Sequence, residues 1–363
     1  MARKLMKGCE AIGESAIRAG CKLFFGYPIT PQNEVAEYMS HRLPQVGGAY
    51  VQAESEVAAS NMIYGAASSG ERVFTSSSSP GISLMQEAMS YIAAAELPLV
   101  VVNVMRSGPG LGGILPTQSD YFQATKGGGH GDYRVLTLAP WSIQEVAELM
   151  ADAFDLADYY RTPVYVLGDG LIGQMMEPVE FREDRKPIKP LPPKTWATTG
   201  WRGDRPRAVI NTLYLDPVEC ERHNQRLQAK YERLRQEEVR HAYYGDQGKL
   251  DVLIVAYGTV ARVALTAMTE LQQSGVKVGM LRPITLWPFP HSALAEAAER
   301  ARAVLVAELS CGQMLEDVWL SIEGRRPVFF IGHQGGVLMT PEEIATRVRA
   351  VMNREAVEVR YGG

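Results

Sequence analysis

Cysteine is scarce in this chain and never occurs in closely spaced pairs. The four cysteines, Cys9, Cys21, Cys220 and Cys311, are scattered over 363 residues, and none belongs to a CxxC motif. Isolated thiols cannot form a zinc site or hold an iron–sulfur cluster within one chain. We therefore expect reduced cysteines, and any cluster that acts together with this protein has to lie on another chain.

Long apolar runs and a strong excess of charge are also missing. The longest apolar run, residues 97–105, is far too short to cross a bilayer and indicates a buried strand. The first eight residues lack the apolar stretch that a signal peptide needs. A formal net charge of −4 gives no basic surface for nucleic acid or an anionic membrane. We expect a cytoplasmic protein that binds neither nucleic acid nor a membrane.

The order of the predicted elements indicates an α/β protein. Apolar residues make up 46% of the chain, which suffices for two compact domains with buried cores. The first half alternates strands and helices, which favours a parallel sheet covered on both faces. Its predicted helices span residues 10–19, 52–69, 80–94 and 142–159, and its predicted strands span residues 22–25, 72–75, 97–105 and 164–167.

The sequence divides into three segments. Residues 1–185 form the first α/β domain. Residues 186–248 contain a linker rich in proline and lysine and a charged helix that begins near Asp216. One face of that helix is apolar, and it either packs on its own subunit or contacts a partner; its members are Leu227, Tyr231 and Leu234. Residues 249–363 again alternate strands and helices and form a second α/β domain.

Two glycine-containing motifs suggest cofactor sites but lack the remaining parts of those sites. Residues 108–113 match GxGxxG, yet no helix follows to receive a pyrophosphate at its N-terminus. Asp169 lies in a Gly-Asp-Gly sequence, but the next asparagine is Asn211, too far away to share a Mg²⁺ ion. Because Mg²⁺ needs several oxygen ligands, we predict a turn at Asp169 and no metal site in this chain.

A glutamate stands at the head of the apolar helix predicted over residues 52–69. The residues at helical spacing on one face of it are Glu56, Ala59, Ile63 and Ala66. We expect this face to be buried, and a buried carboxylate needs a partner, which makes Glu56 a candidate functional residue. The alternative is a first-turn glutamate stabilised by the helix dipole, a role that suits Glu54.

The turn over residues 26–31 joins a predicted strand to a predicted helix. Its prolines make it stiff, and Thr30 followed by Pro31 is typical of an N-cap with proline at the first helical position. Free N–H groups at the same helix end favour a bound anion such as a carboxylate. The sequence thus predicts Thr30 as a cap that also lies close to a ligand.

Arg106 directly follows the buried strand and opens a loop that runs to about Tyr133. Loops of this length without secondary structure are usually functional or disordered. An arginine at the carboxyl end of a strand in an α/β sheet is well placed to bind a ligand carboxylate through two parallel hydrogen bonds. The alternative is a structural salt bridge from Arg106 to Asp120 or Asp132.

Together these segments resemble the α subunit of 2-oxoacid:ferredoxin oxidoreductases. The matching segments are residues 26–31, 56–66, 75–81 and 106–109 in the N-terminal half, and residues 254–259, 285–290 and 308–313 in the C-terminal part. The resemblance implies a pyrimidine-binding domain for thiamine diphosphate, followed by a transketolase C-terminal-like domain. The segments 108–113, 118–123 and 126–132 look most similar to the branched-chain, 2-oxoisovalerate type.

The resemblance also implies roles for particular residues. Glu56 matches the catalytic glutamate that hydrogen-bonds N1′ of the aminopyrimidine ring, and the spacing from Glu56 to Gly65 fits the wider thiamine enzyme pattern. Thr30 and Arg106 match positions that hold the carboxylate and carbonyl region of the substrate. The remaining residues of the implied cofactor site are Tyr27, Pro28 and Ile29.

The implied reaction is the oxidative decarboxylation of a 2-oxoacid, with a branched-chain substrate favoured, to acyl-CoA and CO₂. Ferredoxin accepts the electrons, and thiamine diphosphate lies between subunits. In this arrangement the chain holds the pyrimidine end, and a β subunit carries the diphosphate and Mg²⁺. Iron–sulfur clusters belong to partner subunits, with γ and ferredoxin-like δ subunits expected. The isolated chain should then be inactive.

Two other interpretations stay open at this point. The chain resembles, in domain order, the β chain of a transketolase- or E1-type thiamine-dependent dehydrogenase, whose partner would be a lipoyl protein. It is alternatively a non-catalytic scaffold subunit in which Glu56 is only a first-turn charge. The nature of the partner, a lipoyl protein or a cluster-bearing chain, would distinguish the first possibility from a ferredoxin oxidoreductase. Loss of cofactor binding in a Glu56→Ala variant would argue against the second.

Overall fold

Strands and helices alternate along the computed structural model, which describes residues 3–182 and 184–360. The strands are β1 (Lys4–Lys7), β2 (Leu23–Gly26), β3 (Ala49–Gln52), β4 (Val73–Ser77), β5 (Leu99–Met105), β6 (Leu136–Leu138), β7 (Pro163–Asp169), β8 (Met176–Val179), β9 (His241–Gly245), β10 (Leu250–Val255), β11 (Val278–Pro283), β12 (Thr285–Trp287), β13 (Ala301–Glu308) and β14 (Val328–Gly332). The helices are α1 (Gly8–Arg18), α2 (Asn33–Gln45), α3 (Glu56–Ser68), α4 (Ser79–Leu84), α5 (Gln86–Ala94), α6 (Tyr121–Thr125), α7 (Ile143–Tyr160), α8 (Gly170–Gln174), α9 (Pro217–Glu237), α10 (Gly258–Gln273), α11 (His291–Glu299), α12 (Gln313–Ile322) and α13 (Pro341–Met352).

The described residues form two large sheets and one antiparallel pair. The first sheet has the strand order β12-β6-β7-β5-β4-β2-β3, and every neighbouring pair except β12–β6 is parallel. The second sheet has the order β14-β13-β10-β11-β9 and is parallel except for β9. Strands β1 and β8 form the antiparallel pair. The predicted α/β class with parallel sheets is confirmed.

The centre of the first sheet is fully buried. Every residue of β5 and of β7 is buried, and the runs of valine and leucine there suit strands that are covered by helices on both faces. Helix α1 packs on α2 and α7, while α3 packs on α5. In the part of the chain that the structure describes, no helix is both long and apolar enough to cross a membrane.

The strand pairing crosses the predicted domain boundary near residue 248 in both directions. Strand β9 lies in the predicted linker, yet it pairs with β11 of the second sheet. Strand β12 lies in the predicted C-terminal domain, yet it pairs with β6 of the first sheet. The division of the chain into domains at residues 185 and 248 therefore stays a prediction from the sequence.

Two predicted helix boundaries were wrong. Gln52 belongs to β3, and α3 begins only at Glu56, because the Ser55 side chain accepts a hydrogen bond from the Ala58 N–H at 3.2 Å and caps the helix. The single helix predicted over residues 80–94 is two helices, α4 and α5, which meet at Met85.

Helix α9 packs on its own subunit. Leu227, Tyr231 and Leu234 are buried, and the ring of Tyr231 meets the ring of Trp287 edge-on at 5.9 Å between centroids. The Asp216 side chain caps the helix as predicted, accepting hydrogen bonds from Val218 and Glu219 N–H groups. The apolar face of α9 is therefore occupied within the chain.

The long loop after Arg106 joins the two sheets. Its Gln118 side chain donates to the Tyr257 carbonyl and accepts from the Leu309 N–H, both at 2.9 Å. The Tyr121 hydroxyl donates to the Asp317 carboxylate at 2.6 Å. The loop contains the short helix α6, so the prediction that it lacks secondary structure was wrong for residues 121–125.

Candidate active site

The predicted site residues collect at one edge of the first sheet. Strands β3, β2, β4 and β5 are neighbours and run parallel, so their carboxyl ends lie side by side. The segments that follow these four ends contain all the predicted site residues. Ligands of open α/β sheets bind at this kind of edge.

Glu56 is a buried carboxylate at the first position of α3. The residue is only 5% exposed, whereas the neighbouring Glu54 is exposed. Ala59 and Ile63 are buried on the same face as predicted, but Ala67 rather than Ala66 completes that face. Among residues 3–182 and 184–360, no group hydrogen-bonds or ion-pairs with the Glu56 side chain. A buried carboxylate in this state is available to a ligand.

Gly81 leaves room for the Glu56 carboxylate. A Cβ atom at position 81 would lie 2.5 Å from Glu56 Oε1 and 2.1 Å from Ser77 Oγ. The Ser77 and Ser78 hydroxyls are buried and have no hydrogen-bond partner in the described structure. Leaving a buried polar group unpaired costs about 1–3 kcal/mol, so this edge is suited to bind a polar ligand. Residues 75–81 carry part of the family resemblance, but the sequence alone predicts no role for Ser77, Ser78 or Gly81.

Replacing Gly81 by alanine should destabilise the fold. Because the new methyl group would displace Glu56 or Ser77, we expect a loss of about 1–3 kcal/mol in the free energy of unfolding. The matched control is Gly65→Ala in α3, where a Cβ atom meets nothing within 4 Å. That control should gain about 0.5–1 kcal/mol from helix propensity. Urea titrations compare the two variants, and equal stability of both would contradict the close packing at Gly81.

Arg106 is a buried cation without a carboxylate partner. It is 7% exposed; its Nη1 donates to the Thr30 carbonyl at 2.9 Å and its Nη2 approaches the Leu111 carbonyl at 3.4 Å. Its Nε has no partner within the described residues. Neither Asp120 nor Asp132 pairs with it there, so the salt-bridge alternative is wrong. The positive charge of Arg106 is therefore available to bind an anionic ligand.

Asp120 interacts with other groups instead. Its Oδ2 accepts hydrogen bonds from Ser79 Oγ at 2.5 Å and from Asn103 Nδ2 at 2.8 Å. Burial raises the pKa of Asp120, and these two bonds oppose the rise. The Ser79 hydroxyl also lies 3.0 Å from the Arg106 N–H, which fixes the start of the loop.

Thr30 is not the helix cap that the sequence predicts. Helix α2 begins at Asn33, and the capping position is Gln32. The Thr30 hydroxyl accepts a hydrogen bond from Asn33 Nδ2 at 3.3 Å, and the Thr30–Pro31 peptide is cis. The role of Thr30 in the fold is to hold Arg106 through its carbonyl group.

The turn that precedes Thr30 is fixed by Gln32. Gln32 Nε2 donates to the Tyr27 carbonyl at 3.2 Å, and its Oε1 accepts from Ser76 Oγ at 2.6 Å. Tyr27 and Pro28 are exposed and Ile29 is half-buried, so these three side chains line the outer rim of the edge. Buried Gln32, which the sequence reasoning missed, gives the turn its shape.

Asp169 caps a helix and does not stand in a simple turn. Its Oδ1 accepts hydrogen bonds from the Leu171 N–H at 2.9 Å and the Ile172 N–H at 3.1 Å, at the start of α8. Burial raises the pKa of Asp169. In the described residues no group of three or more histidine, cysteine, aspartate or glutamate side chains is arranged to hold a metal ion.

Two family models match most of the chain. Residues 14–240 match the model described as pyruvate flavodoxin/ferredoxin oxidoreductase, thiamine diphosphate-binding. Residues 250–344 match the model described as pyruvate:ferredoxin oxidoreductase core domain II.

Curated relatives match over nearly their full length. The ketoisovalerate oxidoreductase subunit VorB of Methanothermobacter marburgensis is 46% identical over 97% of this chain and 98% of its own. The 2-oxoglutarate synthase subunit KorA of the same organism is 35% identical over 94% of this chain and 97% of its own.

Two solved structures share the fold. The 2-oxoglutarate:ferredoxin oxidoreductase from Magnetococcus marinus, with 2-oxoglutarate, coenzyme A and succinyl-CoA bound, aligns over 97% of this chain with a TM-score of 0.88 and 29% identity. This chain spans 65% of the chain in that structure. A split gene transketolase described as an inactive beta4 tetramer aligns over 96% of this chain and 98% of its own, with a TM-score of 0.61. At 13% identity it shows a shared fold only.

Proposed function

This chain belongs to the 2-oxoacid:ferredoxin oxidoreductase family, and from that membership we propose that it holds the pyrimidine end of thiamine diphosphate in a CoA-dependent oxidoreductase of branched-chain 2-oxoacids. The chain is thus an oxidoreductase subunit with a thiamine diphosphate-binding domain. The observation that carries the proposal is the buried, unpartnered carboxylate of Glu56 against Gly81.

The residues at this edge fit the pyrimidine ring of thiamine. Glu56 offers a carboxyl group that can hold or give up a proton at a ring nitrogen, and the Ser77 hydroxyl beside the same glycine has no hydrogen-bond partner among the described residues. The absent Cβ of Gly81 keeps the space beside the carboxylate open. Tyr27, Pro28 and Ile29 would contact the cofactor from the rim. When bound, thiamine diphosphate supplies the carbanion stabilisation that 2-oxoacid decarboxylation requires.

Glu56 would act as a proton donor and acceptor in catalysis. Burial at the head of α3 leaves the carboxyl group little contact with water, so a bound ring nitrogen would be its main partner for proton exchange. Proton transfer by a well-placed side chain contributes about 10²- to 10⁴-fold to a rate. The structural alternative, a first-turn charge in contact with water, suits exposed Glu54 and not Glu56.

Arg106 and Thr30 would orient the substrate carboxylate. The Thr30 carbonyl holds one end of the guanidinium, while Nε and the weakly bonded Nη2 stay available on the other side. That geometry suits two parallel hydrogen bonds to one carboxylate. Because Arg106 is buried and unpaired, a bound anion also relieves the cost of its isolated charge.

The apolar loop beside Arg106 favours a branched-chain substrate. Leu111, Ile114 and Leu115 follow Arg106 in the glycine-rich loop and expose their side chains in the described structure. Apolar side chains here suit a short aliphatic substituent better than a second carboxylate. The higher identity to the ketoisovalerate subunit than to the 2-oxoglutarate subunit, 46% against 35%, supports the same preference.

The remaining parts of the enzyme would lie on partner chains. Asp169, the aspartate of the incomplete magnesium motif, is engaged in capping α8, so we propose that a β subunit binds the diphosphate and Mg²⁺. The four cysteines are far apart in sequence, so we assign the iron–sulfur clusters to γ and ferredoxin-like δ subunits, with ferredoxin as acceptor. We place the assembled enzyme in the cytoplasm. The matches to two models of flavodoxin/ferredoxin oxidoreductases, over residues 14–240 and 250–344, argue against the E1-type alternative.

The test is to compare the isolated chain with the complex that co-purifies with it from the native cell. We expect the complex, given coenzyme A, to reduce a viologen dye with 2-oxoisovalerate in preference to 2-oxoglutarate. The isolated chain should be inactive even with thiamine diphosphate and Mg²⁺ added. Activity of the isolated chain would contradict the divided site, and a preference for 2-oxoglutarate would contradict the substrate class.

A further inference from the structure

A cavity of about 560 Å³ opens at the edge of the first sheet opposite the candidate active site. One wall consists of residues that directly precede β5 and β7, among them Glu96 and Arg161. These strands are parallel, so their amino ends lie side by side. The linker over residues 195–214 and the N-terminal half of α9 form the other walls. A cavity of this size is typical of a site for a small molecule.

The cavity carries an excess of positive charge. The arginine side chains that line it form no ion pair within residues 3–182 and 184–360; they are Arg161, Arg205, Arg207 and Arg226. Among the described lining residues the one acid is Glu96, and its carboxylate lies 3.2 Å from the ammonium group of buried Lys230. A concave surface with charge of one sign attracts ligands of the opposite sign.

Arg161 is half-buried and has free hydrogen-bond donors. Its Nε donates to the Glu96 carbonyl at 3.1 Å, and its guanidinium lies 4.9 Å from the centre of the Trp196 ring. In the part of the chain that the structure describes, no group accepts a hydrogen bond from Nη1 or Nη2. Burial lowers the pKa of Arg161, and the nearby charge of Glu96 opposes this change. The two terminal nitrogens can bind two oxygens of one phosphate group.

The backbone at both amino ends has a conformation that favours glycine. The φ angle is 53° at Glu96 and 50° at Arg161, in the left-handed region. Arg161 directly follows α7, at the position where many helices have a glycine. Buried Lys230 connects the two residues, since it pairs with the Glu96 carboxylate and donates to the Arg161 carbonyl at 2.9 Å. Residues with such strain are concentrated at ligand sites, which supports a role for the Arg161 side chain.

The other arginines come from the linker and from α9. Arg226 Nη2 donates to Nδ1 of buried His223 at 2.9 Å, and burial lowers the pKa of His223, so the imidazole is a neutral acceptor. The Arg207 guanidinium lies 4.8 Å from the centre of the Trp201 ring. Arg205 donates to carbonyl groups of the linker itself, so it shapes the wall and adds charge.

We propose that this cavity binds a phosphate-bearing small molecule, with Arg161 and Arg226 holding a diphosphate group. Planar guanidinium groups suit phosphate oxygens, and a diphosphate has enough oxygens and charge for two arginines. Trp196 and Tyr214 also line the cavity and offer flat surfaces to an attached ring such as a nucleotide base. The site is separate from Glu56, which lies beyond the carboxyl ends of the strands.

The first test is isothermal titration of the full chain with ADP and with inorganic pyrophosphate. We expect one bound ADP per chain, and Arg161→Gly should weaken the binding of both probes by about tenfold or more, through loss of charged hydrogen bonds. Arg354→Gly is the matched control, because Arg354 also has a positive φ, 61°, but is exposed and does not line the cavity.

The two probes also identify the source of the phosphate. Tighter binding of ADP than of pyrophosphate assigns the site to a nucleotide, and equal binding assigns it to the phosphate groups alone. No binding of either probe, or binding that Arg161→Gly leaves unchanged, would overturn the proposal. Because glycine suits the backbone at this position, Arg161→Gly should be as stable in urea as the wild type. Arg226→Gln changes a different element and should also weaken the binding of ADP.

The second test locates the ligand in the assembled complex. ADP should protect Arg161 and Arg226, but not Arg354, from an arginine-specific dicarbonyl reagent, and mass spectrometry of the peptides measures the modification. Equal modification of Arg161 and Arg226 with and without ADP would reject the site. Both tests record binding and not turnover, so their outcome is independent of the proposed function.

Discussion

Replacing Glu56 by glutamine should lower kcat of the assembled enzyme by about 10²- to 10⁴-fold. The amide keeps the size of the side chain and fits the same space against Gly81, but it cannot take up or release a proton. Binding of thiamine diphosphate to the complex should persist, because a hydrogen bond to the ring is still possible. A lower kcat with unchanged cofactor binding would therefore indicate that Glu56 transfers a proton and does not merely fill the site.

The decisive measurement for Glu56→Gln is hydrogen–deuterium exchange at C2 of the bound cofactor, followed by NMR. We expect exchange to slow together with kcat, which a purely structural role of Glu56 would not cause. Glu54→Gln is the matched control, because it makes the same change two residues earlier at an exposed position. Unchanged exchange in Glu56→Gln would refute the assignment and would favour the scaffold interpretation.

Replacing Arg106 by alanine should lower kcat/KM for the 2-oxoacid by about 10²- to 10⁴-fold. The estimate follows from the loss of two hydrogen bonds to a charged group, each of which contributes about 1.5–3 kcal/mol. The loss should affect KM for the 2-oxoacid far more than the affinity for thiamine diphosphate. Steady-state kinetics and cofactor titration of the assembled complex measure the two quantities separately.

Arg106 also holds the turn at Thr30, so a structural effect has to be distinguished from loss of substrate binding. Adding guanidinium ions at low concentration should restore part of the activity of Arg106→Ala, because a free guanidinium can occupy the vacated space. Arg302→Ala is the control; that side chain is 84% exposed and forms an ion pair with Asp251 at the surface. If KM for the 2-oxoacid is unchanged in Arg106→Ala, the carboxylate binds elsewhere.

The sequence predicts the elements at the site better than their contacts. The buried face of α3 follows from residue spacing, because a helix brings Glu56, Ala59 and Ile63 to one side whatever surrounds it. The position of Arg106 at the end of β5 follows from the buried run that precedes it. These predictions depend on neighbours in sequence, and the structure agrees with them.

The contacts that differ from the predictions depend on residues distant in sequence. Thr30 has the sequence of a cap, but its carbonyl group binds Arg106, 76 residues later. Part of the constraint at Gly81 comes from Glu56, which α3 brings against it, and no local sequence pattern predicts that contact. Asp169 caps a helix of five residues, too short to show a helical period. Strands β9 and β12 are short, and their partners lie across a predicted boundary.

The loop that begins at Arg106 connects the proposed substrate-binding arginine to the C-terminal half of the chain. Arg106 pairs with Pro116 in an antiparallel bridge, and two residues later the Gln118 N–H donates to the Leu309 carbonyl at 2.8 Å. A small shift of the second sheet therefore moves the backbone that positions the guanidinium. Substitutions around Leu309 would then change the turnover rate by changing the orientation of the Arg106 side chain, although Leu309 is remote from the proposed ligand.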